Sequence, residues 1–166
     1  MYFIFHKFIA MILPKNIFIW CDHAAIEEKN KLITYVKNER NYKDITVIDE
    51  GACTPESVDY PDIAKKVCHH VLKIQDSVWV LICGTGGWMS MAANKIEGIR
   101  ALLIHNRYTA GMSKKHGDCN VACFGAREGL FDDYQYFIDA FLNGQFEAGR
   151  HQKRIDKLTH DYMNNK

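Results

Sequence analysis

Five short apolar runs punctuate the chain: Ile17–Trp20, Ile45–Ile48, Val78–Cys83, Ala101–His105 and Val121–Phe124. None alternates apolar with polar residues, the pattern of strands covered on both faces. Between them apolar residues recur at helical spacing, with Ile26, Ile33 and Val36 in the first interval and Ile63, Val67, Val71 and Ile74 in the second. The order reads β-α-β-α-β-α-β-α-β-α. Parallel strands need crossovers, and these are right-handed almost without exception. The expected fold is therefore an α/β three-layer sandwich, a five-stranded parallel sheet with helices on both faces. The polar stretch from Phe146 to Lys166, with Ile155 and Leu158 as its few apolar residues, predicts an extended C-terminal helix that leaves the main body.

The opening MYFIFHKFIAMILP is apolar but too short to span a bilayer, and it lacks the basic start and small-residue cleavage site of a secretory signal. We read residues 1–15 as an N-terminal extension and 16–166 as a single domain, since 166 residues of 48% hydrophobic content suit one core. Twenty-one basic against twenty acidic residues leave a net charge of +1, so no global field gathers nucleic acid or an anionic membrane. An anion must be caught by a local pocket. Six cysteines without paired spacing fit reduced thiols in a cytoplasmic protein, and neither a structural zinc site nor any other metal is expected.

In parallel sheets ligands bind beyond the carboxyl ends of the strands, so the residues just after each run are the candidates. The densest signal there is Cys83-Gly84-Thr85-Gly86-Gly87-Trp88, after the third run and before a helix expected from Met89 to Lys95. Glycines let backbone N–H groups converge on an anion. The loop matches neither the dinucleotide fingerprint nor a P-loop, and a simple tight turn is the alternative. Cys83 at its head is either a thiolate base or a core cysteine; Cys53, Cys68, Cys119 and Cys123 are read as core. Asp22-His23 after the first run is either a helix cap or a polar pair able to position substrate. His116 falls near the end of a short helix begun at Tyr108, where contact with the helix dipole would explain it. His105 ends a run, and His69, His70 and His160 are expected at the surface. Arg150 and Arg154 lie four apart on a helix, either gripping one phosphate or forming a solvated basic face with Lys153 and Lys157.

Taken together, the motifs resemble the ribose 5-phosphate isomerase B family, which includes the galactose 6-phosphate isomerase subunits. The likeness runs from about Ile17 to Leu158. It is carried by Asp22-His23-Ala24, Val58-Asp59-Tyr60-Pro61-Asp62, Leu81-Ile82-Cys83-Gly84-Thr85-Gly86, Met89-Ser90, Ala92-Ala93-Asn94-Lys95, Gly98-Ile99-Arg100-Ala101, Asn120-Val121, Gly125-Ala126-Arg127 and Gly149-Arg150-His151-Gln152-x-Arg154.

The resemblance implies a Rossmann-like fold and cofactor-free isomerisation of ribose 5-phosphate and ribulose 5-phosphate, a pentose phosphate pathway step. Cys83 would be the base, acting through an enediol, and His116 with Thr85 nearby would open the furanose ring. Backbone N–H groups of Gly84, Gly86, Gly87 and Trp88 would hold the enediolate oxygen, Asp22 would serve the hydroxyls and Tyr60 would line the pocket. His23, Arg127, Arg150 and Arg154 would take the phosphate. The site would lie in a homodimer, possibly within a dimer of dimers, with residues from both chains. A hexose 6-phosphate isomerase, or a binding protein that has lost catalysis, are the other readings. Trp88, Ala25 and Gly117 stand where the family usually has Gly, Gly and Asn, and Lys114 where it has Arg; Gly87 is expected to absorb the torsion that Trp88 disfavours.

Overall fold

The computed structural model describes residues 13–51, 56–129 and 133–163. Five strands, β1 (Asn16–Cys21), β2 (Thr46–Asp49), β3 (Ser77–Cys83), β4 (Ala101–Leu103) and β5 (Val121–Gly125), form one all-parallel sheet in the order β2-β1-β3-β5-β4. Its helices are α1 (Ile26–Asn38), α2 (Tyr60–Val71), α3 (Gly87–Ala93), α4 (Arg107–Gly117), α5 (Tyr134–Leu142) and α6 (Arg150–Met163). This is the parallel sheet that the apolar runs predicted, in the Rossmann-like arrangement that the resemblance implied.

Alternation along the strands feeds two separate cores. Ile17 and Ile19 of β1, Val78, Val80 and Ile82 of β3, and Ala122 and Phe124 of β5 pack with Leu32, Val36, Ala110 and Phe137 from α1, α4 and α5. Phe18, Trp20, Trp79, Leu81, Cys83 and Cys123 turn the other way, toward Ala64, Val67 and Cys68 of α2 and Met89 and Ala93 of α3. Burial on both faces holds for β1, β3 and β5. Edge strands β2 and β4 expose part of their residues, Leu102 among them, because only one neighbouring strand covers each.

Several boundaries differ from expectation. The second helix stops at Val71, and Ile74 lies in the turn beyond it, partly exposed. Strand β4 ends at Leu103, so His105 sits in the following turn, where Asn106 caps α4 by accepting from the Thr109 N–H at 2.8 Å. His70 is half-buried beside Glu50, with Nδ1 3.4 Å from a carboxylate oxygen, rather than free at the surface. Helix α6 does not simply leave the body: His151 and Ile155 are buried at its start, whereas Leu158 is exposed. Of the proposed extension, Leu13 packs on the core and Lys15 donates its N–H to the Asp76 carbonyl. Cys53 falls outside the described residues.

Candidate active site

Strand order reverses direction at β1 and β3, which pair side by side with Cys21 opposite Ile82. The carboxyl ends at such a switch point open a crevice. Asp22 leaves β1 there with its N–H bonded to the Ile82 carbonyl, and its Oδ1 accepts the Ala24 N–H at 2.9 Å. Asp22 therefore shapes a tight turn and does not cap α1, which starts after Ala25 without a side-chain cap. Next to it, His23 has a buried Nδ1 with no hydrogen-bond partner.

Cys83 ends β3, almost fully buried, and its Sγ accepts the Gly86 N–H at 3.1 Å. Gly86 has φ of 70°, a left-handed torsion, and a Cβ there would lie 2.6 Å from the Phe124 backbone, so glycine is required twice over. Helix α3 begins at Gly87, two residues earlier than the sequence suggested. The special torsion falls on Gly86, not Gly87, which leaves Trp88 in the ordinary helical geometry of the first turn. Its indole is half-exposed, with its centroid 6.3 Å from the Tyr60 ring at the start of α2. The first N–H groups of α3 have no partners within the helix and face the loop end.

Strand β5 brings Arg127 alongside. Its N–H bonds the Gly84 carbonyl at 2.9 Å and the Ala126 N–H bonds the Cys83 carbonyl at 2.8 Å. The Arg127 guanidine lies over the loop, 3.6 Å from where a Cβ on Gly84 would stand, which is ordinary contact distance. Gly125 is constrained by contact alone, since a Cβ would meet Thr85 backbone atoms at 2.8 Å. Thus Asp22, His23, Cys83, Gly84, Thr85, Gly86, Gly87 and Arg127 gather at one edge of the sheet, with Tyr60 and Trp88 paired beside α3. Burial pushes the thiol of Cys68 up to about 12, that of Cys119 up to about 11 and that of Cys123 well above its usual value, so these three keep their protons at neutral pH.

The other predicted residues are elsewhere. His116 sits at the last turn of α4, beside Gly117, whose carbonyl accepts from Arg100 Nε just before β4 begins. This is the amino edge of the sheet, one strand length from Cys83, or roughly 13 Å along β5 at about 3.3 Å per residue. His116 and Thr85 therefore do not meet within one chain. His116 instead stacks on His151 with centroids 4.1 Å apart and planes 8° from parallel, and its Nε2 is 3.6 Å from a Glu147 carboxylate oxygen. Burial, then His116, Arg150 and Arg154, hold His151 below its usual range. Its Nε2 accepts from Arg150 Nε at 3.3 Å. Arg154 and His116 line an open, mainly apolar groove with Leu102, Ile155 and Leu158. Ligand atoms of His116, Glu147 and His151 fall within 4.8 Å of one another. With the rings parallel, however, their in-plane lone pairs run side by side and do not converge on one ion.

Two departures from the family pattern have local explanations. A side chain at Gly117 would press on Cys119, with Cβ 2.9 Å from its Sγ. Lys114 closes the end of α4 by reaching the Cys119 carbonyl and Asp118. Sequence reasoning missed Lys29. It is buried on the Ala25, Leu32, Val36 stripe of α1, and its Nζ bonds both oxygens of Asp49 at 2.8 and 2.9 Å. A cation at a core position of that stripe was the available signal.

The ribose/galactose isomerase profile matches residues 17–158. This chain belongs to that family. It is thereby an isomerase. It is 37% identical over 145 residues to ribose-5-phosphate isomerase B of Escherichia coli, covering 87% of this chain and 95% of that protein. Among solved structures, a Trypanosoma cruzi ribose 5-phosphate isomerase type B mutant superposes with a TM-score of 0.84 at 36% identity, covering 93% of this chain and all of that one. The Mycoplasma genitalium enzyme with bound ribulose-5-phosphate gives 0.81 at 37% identity, over 91% of this chain and 97% of that one. Among the described residues no helix is long and apolar enough to cross a membrane.

Proposed function

We propose that the chain interconverts D-ribose 5-phosphate and D-ribulose 5-phosphate, with Cys83 as the base. The observation that carries this is the seat of Cys83: a thiol at the switch point, held by an N–H at the head of a glycine loop, with a guanidinium over that loop. His116 takes the anomeric hydroxyl proton while the bond from C1 to the ring oxygen breaks; the ring oxygen takes a proton from water, and the hydroxide so formed is neutralised by the proton that His116 gives back. Cys83 then removes the C2 proton of the aldehyde. The electron pair moves into the C1–C2 bond, and the oxygen on C1 becomes an enediolate oxygen held by N–H groups of the loop and the first turn of α3, but not by that of Gly86, which was expected to contribute and instead donates to Cys83 Sγ. Asp22 relays the hydroxyl proton from the oxygen on C2 to that on C1. The protonated Cys83 returns its proton to C1, and the ketone is complete.

Because His116, Arg150 and Arg154 lie at the opposite edge from Cys83, the working site in this reading draws them from a second copy. His23 and Arg127 meet the same phosphate from the Cys83 side, so four groups share one dianion. The Trp88 and Tyr60 rings narrow the wall beside the loop, which favours a five-carbon sugar over a hexose 6-phosphate. A coupled assay with ribose 5-phosphate, allose 6-phosphate and galactose 6-phosphate tests the assignment, with turnover expected on the first. Binding without turnover on any of them would overturn it in favour of a sugar-phosphate binding protein.

A further inference from the structure

Glu147 reaches His116 through a fixed backbone, because its N–H bonds the Lys115 carbonyl at 3.0 Å, one residue before the imidazole. The turn that follows takes Ala148 and Gly149 through left-handed torsions, φ 51° and 56°, and starts α6 so that His151 is buried against the His116 ring. Ala148 has no glycine freedom to make that torsion easy, so the surrounding contacts must hold it. The carboxylate, 3.6 Å from Nε2 of His116, is placed to pair with an imidazolium. His151 accepts a hydrogen bond from Arg150 at its Nε2, so that nitrogen carries no proton, and the flat face of a neutral ring lies on His116.

We infer that Glu147 and His151 are positioning residues for ring opening: Glu147 stabilises the imidazolium that His116 becomes, and His151 fixes the plane of its ring. This rests on the isomerase reading above. Ring opening sends the anomeric proton to His116, which then carries a positive charge close to Arg150 and Arg154, the cations that help hold His151 neutral. The Glu147 carboxylate offsets that repulsion. Neither residue acts on carbon, where Cys83 works alone from the other edge of the sheet.

The chemistry of the two sugars separates these steps. Ribose 5-phosphate closes to a furanose and must be opened. Ribulose 5-phosphate cannot close a furanose, since its fifth oxygen carries the phosphate, and its C1 proton can exchange through the enediolate without any ring step. The full-length parent, E147Q, E147D, H151F and H151A are assayed for ribose 5-phosphate turnover and for deuterium wash-in at C1 of ribulose 5-phosphate. E147Q is expected to lose roughly ten- to hundredfold of the first, as for a weakened acid-base group. Its exchange rate is expected to stay within about twofold of the parent. E147D restores part of the loss, and H151F, which keeps a stacking ring, loses less than H151A. Unchanged ribose 5-phosphate turnover in E147Q, or an equal fall of turnover and exchange, overturns the inference. A parent that catalyses neither reaction overturns the isomerase reading and this inference with it.

Discussion

The N–H of Gly86 meets the sulfur of Cys83 at 3.1 Å, and Gly86 is also the residue whose left-handed torsion turns the chain into α3. The turn and the placement of the sulfur are one feature. Lengthening the loop or giving residue 86 a side chain would move the sulfur, since a Cβ there runs into Phe124 and Leu103.

Cys83→Ala should abolish isomerisation while leaving phosphate binding, because the base acts on carbon and the phosphate is held by other groups. Deuterium exchange into ribulose 5-phosphate at saturating substrate measures this. Exchange near the parental rate would return Cys83 to the core.

If each site is built from two chains, two inactive variants can repair one another. Cys83→Ala and His116→Ala, each expected to be inactive alone, should regain activity when refolded together, because every mixed dimer contains one site with both residues intact. Random pairing of two isologous subunits makes half the dimers mixed, so about a quarter of parental activity is expected. Recovery absent from a mixture shown to contain mixed dimers would place the whole site in one chain.

Trp88 occupies helical geometry, so its N–H remains available to the substrate and its ring leans toward Tyr60. Trp88→Gly should change ribose 5-phosphate turnover by no more than about fivefold, because no oxyanion donor, worth about 2.7 to 4 kcal/mol each, is gained. It should raise the relative rate on allose 6-phosphate by widening the wall. A hundredfold gain on the pentose would instead show that the indole blocks the anion hole.

Lys29 and Asp49 join the buried stripe of α1 to the end of β2, and the Gly51 N–H also donates to Asp49, at 3.0 Å. Removing one partner of a buried pair costs about 3 to 5 kcal/mol, and the half-exposed Asp49 carboxylate, which water can reach, puts Lys29→Ala at the low end. Lys29→Met, which keeps the stem that packs beside Gly51, should cost less. Urea unfolding of both variants checks the order, and equal loss in the two would show that the charge alone matters.

Much of this protein is written locally. The apolar runs become β1, β3 and β5 because a strand buried on both faces needs uninterrupted apolar residues, and this requirement is visible in any short window of sequence. The loop from Cys83 to Gly87 is legible for a similar reason, since glycines mark close backbone approach wherever they cluster after a strand. Which glycine takes the left-handed torsion was not legible. That depended on Phe124 and Leu103, which come from later in the chain and lie against Gly86 only once β5 and β4 have taken their places. The strand order, the burial of Lys29 and the stack of His116 on His151 are likewise settled by packing between elements distant in sequence. Most consequentially, the family resemblance paired Thr85 with His116 in one reaction, and only the tertiary structure put them at opposite edges of the sheet within one chain. Helix α4 runs antiparallel to the strands, so a residue in its last turn must end beside the start of β5, far from where β3 delivers Cys83.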